Sequence, residues 1–142
     1  MVRWQARAVA VATLVLGTNA AAQPSNDMRR FDGTWDVSLV CPASADGQGY
    51  HFVFPATVTD GHLHGQHGTP HQADSLTYEG TIQPDGSATI SANGLTGDVR
   101  YNVGGGPQGM PYGYHVTAQF EATHGHGKRT DLRPCDVDFV RH

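Results

Sequence analysis

The stretch DGHLHGQHGTPH, residues 60–71, carries His62, His64, His67 and His71, and ATHGHGKR near the other end of the chain adds His124 and His126. Neutral imidazoles bind zinc, copper or nickel at about 2.0 Å, and two loops can together supply the three or four that such an ion takes. The residue types therefore suit a divalent metal. Whether their spacing does depends on the elements that carry them, because successive side chains on a strand point to opposite faces.

Those elements read as strands. Period-two alternation recurs along the chain, and no stretch of ten residues or more shows a helical period. WDVSLVC places Trp35, Val37, Leu39 and Cys41 on one face, and YHFVFPATV does the same with Tyr50, Phe52, Phe54, Ala56 and Val58. HLHGQH, SLTYEGTI, SATISANG, DVRYNV, GYHVTAQFEAT and LRPCDVDFVR follow, separated by turn residues. Eight short strands at this spacing predict an all-β domain, either a barrel or a β-sandwich.

Two turns fix registers. Asp60-Gly61 suits a type I′ hairpin, pairing Thr59 with His62, Val58 with Leu63, Ala56 with Gly65 and Phe54 with His67. Pro84, Asp85 and Gly86 suit a type I turn followed by a left-handed residue, pairing Ile82 with Ala88 and Gly80 with Ile90. Both registers bring apolar residues together on one face, as antiparallel hairpins of a meander require. Cys41 and Cys135, the only cysteines, would then tie the first strand to the last. If those strands are neighbours, an eight-stranded antiparallel up-and-down barrel closes with one disulfide and no free edge. The same register sets Trp35 opposite Arg141, a cation–π contact at the barrel floor.

This arrangement divides the histidines. Loops after odd-numbered strands gather at one end, and these are CPASADGQGY, HGTPHQADS, NGLTG and THGHGK. The predicted metal candidates are accordingly His67 and His71 from one loop with His124 and His126 from another. His62 and His64 fall near the tight turns, facing outward because Leu63 between them faces in, and as an i, i+2 pair on one face they form a separate metal candidate. NVGGGPQGMPYG is expected at the tight-turn end. The other reading of the histidines is a solvated polar surface.

The predicted inward face mixes bulky Tyr50, Phe52, Phe54, Tyr78, Tyr101, Tyr114 and Phe120 with small Gly65, Gly80, Ala56, Ala88, Ala92, Ala118 and Ala122. Large residues against small ones can interdigitate into a solid core, the first expectation, or line a pocket whose phenols orient a guest.

The chain opens MVRWQARAVAVATLVLGTNAAAQ. Arg3 and Arg7 precede an apolar run too short to span a bilayer, and Ala20-x-Ala22 forms a cleavage signature. Residues 1–22 are thus expected to be a signal peptide, leaving residues 23–142 as a single domain in the periplasm or outside the cell, without a membrane span. An oxidising compartment is consistent with a disulfide. With Arg3 and Arg7 removed, seven basic residues face thirteen acidic ones, a net charge of −6 with histidine neutral. Such acidity disfavours nucleic-acid and anionic-membrane partners.

GTW at Gly33 to Trp35, on the first strand of a meander, resembles the Gly-x-Trp signature of lipocalins and their avidin-like relatives, the calycins. Arg141 near the end of the last strand is similar to the arginine that covers that tryptophan in lipocalins. The remaining lipocalin motifs and the C-terminal helix of the larger members have no counterpart here. The chain from residue 23 onward also resembles a family of small exported bacterial β-barrel proteins of unknown function. The calycin resemblance implies a ligand-binding barrel with Trp35 and Arg141 as structural residues, and it names no ligand.

Catalytic patterns are lacking. Glu79 and Glu121 are the only glutamates, there is no Gly-x-Ser-x-Gly or HExxH, and GGGPQG opens no helix. Asp136 and Asp138 alternate outward on the closing strand, as His115 does on its own. The expectation is a monomeric, non-catalytic binding protein working at its loop-rich end. Residues Gly47–Tyr50, His67–Asp74, Asn93–Gly97 and His124–Lys128 would contact a small molecule or an envelope protein. Metal capture, or a protein-binding module such as an inhibitor, is the alternative.

Overall fold

A computed structural model describes residues 27–142; the expected signal peptide lies outside the described residues. Eight strands form one closed antiparallel barrel in sequence order. They are β1 (Gly33–Cys41), β2 (Tyr50–Thr59), β3 (His62–His67), β4 (Ser75–Ile82), β5 (Ser87–Leu95), β6 (Pro111–Phe120), β7 (His124–Arg129) and β8 (Cys135–Arg141). Among the described residues no helix is long and apolar enough to cross a membrane, a statement that concerns helices alone.

The registers follow the turn chemistry. β2 and β3 pair Val58 with Leu63 and Ala56 with Gly65, and β4 and β5 pair Ile82 with Ala88 and Gly80 with Ile90. Asp60 and Gly61 both take positive φ, as a type I′ turn demands, and their amides donate to the Asp32 carboxylate at 2.9 and 3.0 Å. Past Ala56 the β2–β3 ladder ends, so Phe54 and His67 meet only as rings 6.1 Å apart.

β1 pairs with β8, Trp35 opposite Arg141, and the Cys41–Cys135 disulfide staples the same seam at its other end. At the floor, Trp35 is wholly buried and its indole N–H donates to the Phe31 carbonyl at 2.9 Å. Phe31 belongs to a 3₁₀ turn, Met28–Phe31, that plugs the barrel end. The Arg141 guanidinium lies 5.9 Å from the Trp35 ring and donates to the carbonyls of Arg30, Ala122 and Asp32. Phe120 packs edge-on against Trp35 at 5.3 Å and tilted against Phe139 at 4.7 Å, completing an aromatic floor.

Two assignments differ from the sequence reading. DVRYNV is not a strand: it holds 3₁₀ turns at Val99–Tyr101 and Val103–Gly105 inside the long β5–β6 connection. Polar side chains take the backbone partners that a ladder would use. Asp98 accepts from the Arg100 amide at 2.9 Å, and Asn102 donates to the carbonyls of Gly97 and Gly106. Conversely HGHGKR, read as a loop, is β7. Its inward positions are Gly125, Gly127 and Arg129, and the glycines leave room for the chains opposite. A Cβ at Gly125 would come within 2.8 Å of the Phe120 ring, and one at Gly127 within 2.8 Å of Val116. GYHVTAQF is therefore the sixth strand, and Ala122 is exposed in the turn that follows it.

Candidate functional site: the barrel mouth

The revised strand order moves pieces between the two ends. The β1–β2, β3–β4, β5–β6 and β7–β8 connections gather at the end where β1 finishes and β8 begins. The Gly-rich segment NVGGGPQGMPYG thus belongs to this mouth and not to the tight-turn end where it was expected. All four connections border a cleft of about 570 Å³. That lies within the range of about 300–1,000 Å³ typical of small-molecule sites.

The interior is partitioned by height. Below the cleft it is solid: Phe54 packs edge-on against Tyr78 at 5.2 Å, and the hydroxyls of Tyr78 and Tyr114 share a hydrogen bond of 3.0 Å. Toward the mouth Tyr50, Phe52 and Tyr112 line the cleft, with Tyr101 and Met110 on its rim. Of the predicted ligand-binding set, then, Tyr50, Phe52 and Tyr101 border the opening, Phe54, Tyr78 and Tyr114 lie buried, and Phe120 belongs to the floor at the far end. Tyr101 reaches the cleft from its 3₁₀ turn rather than from an inward strand position.

Two arginines that sequence reasoning missed are the most buried cations of the mouth. Arg129, 6% exposed, occupies the last inward position of β7 and lies over the Tyr114 ring at 3.9 Å. Its Nε donates to the Asp131 carbonyl at 3.0 Å. Arg133, 2% exposed, donates to the carbonyls of Tyr101, Gly47 and Gln48 at 3.2, 3.0 and 2.8 Å, and so ties the β7–β8 connection to two other loops. Its Nε is buried without a partner among the described residues. The carboxylates bordering the cleft are engaged elsewhere: Asp74 faces His67 at 3.9 Å, and Asp98 is paired with Arg100 at 2.9 Å.

The histidines do not assemble. His67 stacks on Phe52 at 3.8 Å near the mouth, and His71 is exposed in the β3–β4 connection. His124 begins β7 at the tight-turn end, 3.2 Å from Glu121, and His126 faces outward with its Nδ1 2.8 Å from Asp138. His64 is bonded to Glu79, and His62 lies 3.4 Å from the Thr81 hydroxyl, both on the outer wall. Among the described residues no group of three or more His, Cys, Asp or Glu is placed to hold a metal ion.

Burial pushes the phenols of Tyr78, Tyr112 and Tyr114 well above the ordinary tyrosine value, because a phenolate loses its hydration there. A folded-state pKa above the unfolded value of about 10 gives stability that is complete below that pH and lost above it. These three tyrosines should therefore ionise only as the barrel opens. In an alkaline titration, their phenolate absorbance at 295 nm should rise together with the loss of β-sheet circular dichroism. A phenolate signal from all five tyrosines while the sheet signal stays intact would contradict the buried placement.

No family model matches the chain, and neither the curated proteins nor the solved structures include a match.

Proposed function

We propose that this chain is an exported, non-catalytic binding protein that holds a small ligand in the cleft at the loop-rich mouth of its barrel. The observation that carries this reading is the cleft itself. It has aromatic walls of Tyr50, Phe52 and Tyr112, a solid aromatic floor beneath them, and a rim on which Leu132 and Met110 are exposed. A mouth of this kind offers apolar contact with a few polar groups to orient a guest. The indole-and-arginine floor formed by Trp35 and Arg141, on a meander barrel, supports kinship with the calycins and hence the same kind of function. Periplasmic or secreted location is part of the reading, supported by the leader pattern of residues 1–22 and by the disulfide.

Native mass spectrometry of the disulfide-intact protein, incubated with the small-molecule extract of its own cells, tests the proposal. The expected spectrum shows an organic adduct that is lost on denaturation. Phe52→Ala and Tyr112→Ala should each weaken its retention roughly tenfold, the scale of one aromatic contact. A chain that remains bare in the extract, or carries only the mass of a metal ion, would overturn it.

A further inference from the structure

The mouth holds two buried guanidiniums, Arg129 and Arg133, and of the two only Arg129 keeps donors free beside the cleft. Arg129 is nine-tenths buried, yet among the described residues no carboxylate lies within ion-pair distance of it. Its Nε is used by the Asp131 carbonyl and one face of its guanidinium rests on Tyr114. Among the described residues the two terminal nitrogens have no acceptor, and neither is sealed from solvent, while the residue borders the cleft. Taking a charge out of water without pairing it is costly, and a tyrosine face compensates only in part. A guanidinium with its outer edge free presents two parallel N–H donors, the geometry that a carboxylate accepts as a fork.

Resting on the ligand-binding reading above, we propose that Arg129 anchors the carboxylate of a small organic acid whose apolar body lies along Tyr50, Phe52 and Tyr112. Several features favour a monoanion over a phosphate-like dianion. Only one guanidinium edge is free, because Arg133 is committed to three loop carbonyls. Asp74 and Asp98 also border the cleft and would repel a second negative charge. Apolar and aromatic side chains elsewhere on the wall, among them Tyr50, Phe52, Met110, Tyr112 and Leu132, suit an aryl or alkyl body. Tyr112, stacked nearly parallel on Tyr114 with ring centroids 6.2 Å apart, extends the aromatic wall outward from the ring that carries Arg129.

Isothermal titration calorimetry with 3-phenylpropanoate and decanoate, each compared with its own primary amide, tests this on the unaltered protein. The acids should bind about tenfold or more tightly than the amides, since a hydrogen bond to a charged group contributes that much discrimination. Arg129→Gln should abolish the difference, acid and amide then binding alike, and Arg129→Lys, which keeps charge but loses the fork, should restore part of it. Equal affinity for acids and amides in the unaltered protein would overturn the role of Arg129 and leave the mouth as a binding site. No heat from any of the four would overturn both. The acid–amide comparison needs no substitution, so a variant that fails to fold does not spoil the test.

Discussion

Trp35→Ala should lower the unfolding free energy by about 3–5 kcal/mol, the range for removing a large aromatic side chain from a core. Trp35 is wholly buried, with Phe120 edge-on at 5.3 Å and the Arg141 guanidinium 5.9 Å from its ring, so its loss leaves a cavity in a packed floor. The indole N–H also satisfies the Phe31 carbonyl, which would lose that partner. Phe31 in turn holds the 3₁₀ plug against Phe120 at 6.2 Å, and the damage should spread to that turn. Chemical denaturation of the oxidised protein measures the change. Trp35→Phe, which keeps a ring but not the donor, should fall between the wild type and alanine. A loss well under 1 kcal/mol for alanine would mean that the floor does not depend on the indole.

Reduction of Cys41–Cys135 should cost about 2–5 kcal/mol, because the bond joins residues 94 positions apart and removes a large share of the unfolded chain's freedom. The expected state after reduction is a destabilised barrel rather than an unfolded chain, since the β1–β8 ladder from Trp35–Arg141 to Val40–Asp136 remains. Melting of the oxidised protein, the reduced protein and a Cys41→Ala, Cys135→Ala variant separates the covalent term from side-chain packing. Equal melting temperatures for all three would assign closure of the seam to the ladder alone. The bond sits at the mouth, one residue from the connections that carry Gly49 and Arg133, so reduction should also weaken ligand retention more than it weakens the floor.

Most of the barrel was legible in the sequence because its registers are set by local chemistry. Asp60-Gly61 and Pro84 to Gly86 each define a turn, and each turn defines a pairing that the structure reproduces. The Trp35–Arg141 pairing followed from one assumption, that the cysteines face each other across a shared seam. β7 escaped because hydrophobic alternation is the wrong signal there: its inward residues are two glycines and an arginine, so nothing in HGHGKR looks apolar on either face. DVRYNV misled for the opposite reason, since its alternation is real but Asp98 and Asn102 divert the backbone. These two errors together moved the Gly-rich segment to the wrong end and brought His124 and His126 to the mouth on paper. The same glycine-in, histidine-out alternation, read as a strand, would have set Arg129 inside. The aromatic half of the candidate site was visible as a face; its charged half depended on knowing which way one strand ran.

The seam between β1 and β8 has a consequence for the order of folding. Every other ladder joins strands consecutive in the chain, and each can form as soon as its hairpin exists. The closing ladder joins the first strand to the last, so it waits for the whole intervening sheet and bears the largest loop-closure entropy. Until then both outer strands offer unpaired backbone groups to any neighbouring chain. The aromatic floor and the disulfide, at the two ends of that one seam, reward its closure where the risk of misassembly is greatest.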